Sequence, residues 1–196
     1  MNRREVIKGL GLSLGYAVAT PTVISILQSC KSDTQGTVWN PQFLSNDEGH
    51  VISNLVDLIL PKTDDSPGAQ DVNVAKFIDL YLDKVSNKET QDSFKKGMTA
   101  ILAELGKPVN KLNKDDYDAL LSKYLRAKPD ELDAFNNNEN DAIILKNLTR
   151  LRWQTIWVYK NSQQIGEEVL AYDPIPGKQL GCISLEETTG GKAWSL

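Results

Sequence analysis

From Trp39 onward, apolar residues recur at helical spacing in blocks separated by capping and breaking residues, a pattern that predicts a bundle of helices. Ser45-Asn46-Asp47-Glu48 has the form of a capping box ahead of Val51, Ile52, Leu55, Val56, Leu58 and Ile59, and Pro61 closes that helix. A turn-rich connector from Pro61 to Asp71, with Pro67-Gly68 inside it, leads to a second apolar face of Val74, Phe77, Ile78, Tyr81, Leu82 and Val85. Ser86-Asn87-Lys88-Glu89 repeats the capping pattern. It introduces Phe94, Met98, Ile101, Leu102 and Leu105, and Gly106 with Pro108 ends the segment. Asn113 is placed to cap a fourth helix carrying Tyr117, Leu120, Leu121, Tyr124 and Leu125, after which Pro129 and Asn136-Asn137-Asn138 interrupt the pattern.

The longest helix is expected over roughly Asn140 to Asn161, with Ile144, Leu148, Leu151, Thr155 and Val158 along one strip and Trp153 and Trp157 along a neighbouring one. Ser162 to Ala171 reads as a further short helix. Beyond Tyr172 the texture changes, because Pro174, Pro176, Gly177, Gly181, Gly190 and Gly191 disfavour regular helix and predict an extended arm laid over the surface. The fold class is therefore mainly α, a compact helical domain over residues 39–196 with an extended Pro/Gly-rich C-terminal arm.

The start of the chain has a different organisation. Arg3, Arg4 and Lys8 precede a 21-residue uncharged stretch, Gly9 to Ser29, in which Gly9, Gly11, Gly15 and Pro21 soften the apolar run. A basic n-region before such a stretch is an export-signal pattern. A permanent membrane span is the alternative that length allows, but Ser13, Thr20, Thr22, Ser25, Gln28 and Ser29 make the stretch weakly hydrophobic. Arg3-Arg4 with Val6, Ile7 and Lys8 resembles the twin-arginine signal, which serves proteins exported already folded. Leu27-Gln28-Ser29-Cys30 resembles a bacterial lipoprotein cleavage site, with Cys30 as the acylated new N-terminus; the alternative is a plain thiol near an ordinary cleavage site. Residues 1–29 are thus expected to be a signal peptide and 30–38 an acylated Cys and short tether, holding the domain on the periplasmic side of a bacterial membrane.

Charge then changes the picture. The whole chain has 22 Lys and Arg against 26 Asp and Glu, a formal charge of −4. Removal of residues 1–29 takes away Arg3, Arg4, Lys8 and Glu5, leaving 19 against 25, or −6. Nothing in the remaining domain forms a basic stripe for nucleic acid. One His and two Cys cannot build a His/Cys zinc cluster or an iron–sulfur site. His50, near the start of the first domain helix, has no second His and reads as structural or surface. Asp64, Asp65 and Asp71 lack the graded spacing of a calcium loop and read as capping and loop acceptors. Glu167 and Glu168 are neighbours that do not face each other on a helix, and Cys182 has no nucleophile pattern around it and reads as a buried inert thiol. Trp153 and Trp157 either fill the core, the preferred reading, or anchor a partner. The arm at Tyr172, Pro174, Pro176 and Gly177 is the stronger interface candidate, with a scaffold strap as its alternative.

Several of these motifs occur together in a known family. Leu58-Ile59-Leu60-Pro61, Asp64, Pro67-Gly68-Ala69, the Trp153 region, Tyr172-Asp173-Pro174-Ile175-Pro176-Gly177 running to Gly181-Cys182, and Lys192-Ala193-Trp194-Ser195 resemble the small subunit, subunit 3, of gluconate 2-dehydrogenase and related membrane-associated sugar dehydrogenases. The resemblance implies a non-catalytic accessory subunit of a flavin-dependent complex. A separate large flavoprotein dehydrogenase subunit would hold FAD, oxidise a sugar or alcohol, and pass electrons to a cytochrome c or a quinone-linked acceptor. The resemblance implies no cofactor in this chain; independently, the sequence has no dinucleotide-type Gly-rich turn and no Cys-x-x-Cys-His haem attachment. A stand-alone sugar- or small-ligand-binding periplasmic lipoprotein is the competing expectation, with Trp153, Trp157 or Tyr172 lining a pocket.

Overall fold

The lead-in to the bundle is organised by one buried acid. The computed structural model describes residues 39–175, 177 and 181–195, and in it Asp79 is fully buried. Its carboxylate accepts the backbone N–H groups of Gln42 at 2.8 Å, Phe43 at 3.1 Å and Leu44 at 2.9 Å, with the Trp39 indole N–H at 3.4 Å. A buried charge persists where several donors replace its lost water. Here those donors come from a segment about 35 residues earlier, so the chain before the first helix is fixed against the second.

Helix α1, Asn46–Ile59, starts on the expected capping box: the Ser45 hydroxyl accepts the Glu48 N–H and the Glu48 carboxylate accepts the Ser45 N–H. Glu48 is itself buried and pairs with Lys95 of α3, Lys88–Leu105, so the cap also links two helices. Helix α2 spans Val74–Lys84 and buries Val74, Ala75, Ile78, Asp79 and Leu82. Val85, expected on that apolar face, instead stands at the helix end and is exposed. Helix α3 is capped by the Asn87 side chain on the Thr90 N–H and ends on Gly106 in the left-handed region, φ 62°, where glycine carries no Cβ penalty. Helix α4, Lys114–Leu125, begins with a second reciprocal box between Asn113 and Asp116.

Pro129 does not interrupt helical structure, as the sequence pattern suggested, but opens helix α5, Pro129–Asn137. At the first helical position the missing N–H would have had no partner in any case, and the Lys128 N–H donates to Glu131. Helix α6, Glu139–Lys160, is the longest and packs against each of α1 to α5. Its buried strip contains Ile144, Leu148, Leu151, Thr155 and Val158, as expected. At Gly97, α3 and α6 meet closely: a Cβ there would lie 2.2 Å from the Asn147 amide nitrogen. The missing side chain lets a buried asparagine of α6 fill the gap, where its amide donates to the Phe94 carbonyl at 3.5 Å.

Gln164–Val169 form a single π-helical turn rather than a short α-helix. The expected extended arm also proves to be looped. Leu185–Thr189 make a short helix, α7, and the segment returns so that Ala171 bridges Trp194 in parallel. The Ala171 N–H donates to Ala193 and the Ser195 N–H to Ala171. Among the described residues there is no β-strand, and no helix is long and apolar enough to cross a membrane. Arg3, Arg4, Cys30 and Pro176 lie outside the described residues.

Candidate functional site

Helices α2 and α6 bring four aromatic residues to one outward face. Trp157 meets Phe77 edge-on, with ring centres 5.9 Å apart at 63°, and Tyr81 at 6.0 Å and 66°. Phe77 and Tyr81 stack at 6.2 Å, one helical turn apart on α2. Trp153 lies one turn before Trp157. The two tryptophans are 62% and 50% exposed, and Phe77 and Leu80 are also exposed. This corrects the preferred reading that placed Trp153 and Trp157 in the core. The reason is angular: a residue at 100° per step from Ile144, Leu148 and Leu151 falls on the opposite side of the helix when it occupies position 153 or 157. Edge-to-face contacts restrict the Trp157 ring, so the face is preformed.

The other interface candidates gather at the far end of α6. Tyr172, with Lys160, Asn161, Gln163, Glu167 and Ser195, lines a shallow cleft of about 180 Å³. Tyr172, Pro174, Ile175 and Gly177 are exposed, and Ile183, Leu185 and Trp194 of the returning loop are exposed as well. Cys182 is exposed rather than buried, with φ 54° in the left-handed region, because the loop around it contributes almost nothing to the core.

Of the three connector acids expected as capping and loop acceptors, Asp71 takes that role, while Asp64 and Asp65 accept no hydrogen bond among the described residues. Asp71 accepts the Gly68 N–H at 2.8 Å, and that bond, with the Lys62 ammonium beside it, holds its carboxyl below the ordinary carboxylate range. Gly68 must be glycine on steric grounds, since a Cβ would lie 2.7 Å from the Lys62 backbone nitrogen. The Tyr159 hydroxyl donates to the Pro67 carbonyl at 2.6 Å and lies 2.5 Å from the Ser66 hydroxyl, tying the loop to α6. Asp64 and Asp65 are exposed, as are Glu167 and Glu168, and His50 is partly buried. Among the described residues, no three His, Cys, Asp or Glu side chains are placed to share a metal ion.

Asp79 is the residue that sequence reasoning passed over. Its signal was a carboxylate flanked on both sides by apolar residues in Phe77-Ile78-Asp79-Leu80-Tyr81-Leu82. A second polar cluster is structural too: the Tyr124 hydroxyl donates to Asp141 at 2.6 Å and Lys123 pairs with Glu104 at 2.7 Å. Burial, followed by the Asp141 bond, pushes the Tyr124 phenol up to about 12, and the Glu104 contact raises the Lys123 ammonium to about 12.

The geometry is that of a helical domain with a rigid aromatic face, whose buried acids are engaged in capping and lead-in contacts. Residues 46–177 match the family model of gluconate 2-dehydrogenase subunit 3, and the chain belongs to that family. No curated protein and no solved structure matches it.

Proposed function

We propose that this chain is a non-catalytic accessory subunit of a membrane-associated, flavin-dependent sugar or alcohol dehydrogenase complex. The observation that carries the reading is the preformed face of Phe77, Tyr81, Trp157 and Trp153, since large rigid aromatics left half-exposed are the side chains that dominate protein–protein binding. The family description, a dehydrogenase subunit, supplies the partner. That partner is the large flavoprotein subunit, which holds FAD and delivers electrons to a cytochrome c or quinone-linked acceptor. The loop at Tyr172, Pro174, Pro176 and Gly177 extends the same contact.

Arg3 and Arg4 would carry the assembled pair through the twin-arginine pathway, and acylated Cys30 would tether it on the periplasmic side of the membrane. This arrangement lets a flavoprotein fold around its cofactor before export. The competing reading as a ligand-binding lipoprotein gains little from Trp153 and Trp157, which stand on an open helix face. The cleft at Tyr172, at about 180 Å³, is also smaller than ordinary small-molecule sites. Co-expression of this chain with the flavoprotein, followed by purification in mild detergent, tests the proposal. Recovery of a flavin-containing complex that disappears in the Trp153→Ala/Trp157→Ala variant is the expected result. Recovery of the wild-type chain without flavin overturns it. Changing Arg3 and Arg4 to Lys should strand both subunits in the cytoplasm; normal export of the flavoprotein would remove the carrier role.

A further inference from the structure

The outer face of α6 is cationic as well as aromatic, with a three-cation stripe that is too short for a nucleic-acid track and that sequence reasoning passed over. Lys146, Arg150, Trp153, Trp157 and Lys160 follow one another at spacings of four, three, four and three residues. At 100° per residue they lie within about 80° of arc, on the side opposite the buried strip. Between Ala142 and Lys160 the sequence has four cations and no carboxylate, although the chain as a whole carries −4. Among the described residues, none of Lys146, Arg150 and Lys160 is paired with a carboxylate. Arg150 instead sets its guanidinium 5.8 Å from the Phe94 ring centre. Of the neighbouring acids, Glu139 pairs with Lys96 at 3.4 Å, Asp141 accepts from Tyr124, and Glu167, which lines the Tyr172 cleft with Lys160, accepts from Gln163 at 3.1 Å and forms no ion pair with Lys160.

We infer that this stripe selects the partner by charge: the surface that docks on Trp153 and Trp157 is an apolar site on a protein, rimmed by Asp or Glu side chains that meet Lys146, Arg150 and Lys160. The inference rests on the accessory-subunit reading and adds the chemistry of the contact. Unpaired cations around a rigid aromatic centre match the usual anatomy of an interface, with an apolar core and a polar rim. Rim charges of this kind steer approach and fix register. An anionic bilayer would offer the same attraction locally, but as an extended plane it also meets the acidic remainder of the chain. A protein rim engages the stripe within a screening length of about 8 Å.

The test uses the full chain co-expressed with its flavoprotein subunit, and follows dissociation of the purified complex as NaCl is raised. The wild-type complex should loosen with salt, and Lys146→Glu/Lys160→Glu should weaken it about tenfold or more at low salt and flatten the salt dependence. Arg150 is omitted from this variant because its ring contact also touches the core. Lys146→Arg/Lys160→Arg should restore wild-type behaviour. A charge-reversed complex with unchanged affinity and salt response overturns this inference and leaves the accessory-subunit reading standing, whereas absence of any wild-type complex at low salt overturns both. A parallel arm measures flotation with phosphatidylcholine–phosphatidylglycerol vesicles. Binding that the charge reversal abolishes, with the protein complex intact, assigns the stripe to lipid and overturns the inference.

Discussion

The bundle α1–α6 and the loop from Ala171 to Ser195 use the same apolar residue types in opposite ways. In the bundle, Ile52, Leu55, Ile78, Leu82, Ile101, Ile144 and Leu148 are all essentially inaccessible to water. In the loop, Ile175 is 84% and Leu185 64% exposed, and the described ties at its base are the backbone bonds among Ala171, Ala193 and Ser195, the Ser195 hydroxyl on Ala171, and the small Tyr172 cleft. Burial of each large aliphatic side chain contributes about 1.5–3 kcal/mol, which the bundle collects within itself and the loop leaves available to a partner. The outer face of α2 and α6 behaves like the loop although it is built from the bundle's own helices. A domain can thus be complete in its core and unfinished at one edge.

Substitutions should separate the two regions by size of effect. The largest loss is expected for Asp79→Ala, which strands the N–H groups of Gln42, Phe43 and Leu44; urea unfolding should show about 3–5 kcal/mol. A loss near zero would mean that the lead-in segment is not part of the stable unit. Gly97→Ala comes next, at about 2 kcal/mol, because the new Cβ must push Asn147 away from the α3–α6 contact.

Tyr124→Phe should lose about 1 kcal/mol at neutral pH with the Asp141 bond. It should also reduce the alkaline sensitivity of the protein. The unfolded phenol releases its proton near 10.0 and the folded one near about 12. Between those values the folded state holds more protons, so stability that is complete below pH 10 falls as pH rises toward 12. Lys123, raised from 10.5 to about 12, works in the same direction over an overlapping window. Thermal scans across that window would show a steeper decline for the wild type than for the variant. The smallest effect belongs to the loop: Ile175→Ser should shift stability by less than about 0.5 kcal/mol, and a larger shift would make the loop part of the core.

Most of the bundle was legible in sequence because the starts of α1, α3 and α4 are written locally. Ser45 with Glu48 and Asn113 with Asp116 need only their own three-residue spacing to form a box. The misreadings share the opposite property. Whether Pro129 breaks a helix or begins one depends on which neighbours are already helical, and a Trp on α6 is core or surface according to what covers it. The Cys182 loop returns on itself through backbone bonds that carry no side-chain signature. Within the candidate site, the individual tryptophans were evident, but their grouping with Phe77 and Tyr81 joins positions about 80 residues apart and needed the fold.

The Asp79 cradle has a consequence for how the molecule opens. Gln42, Phe43 and Leu44 share one acceptor, so their amide protons cannot be freed one at a time without leaving a buried charge short of donors. In hydrogen–deuterium exchange these three amides should have nearly equal protection and should exchange together with the centre of α2, making two segments that are distant in sequence a single cooperative unit.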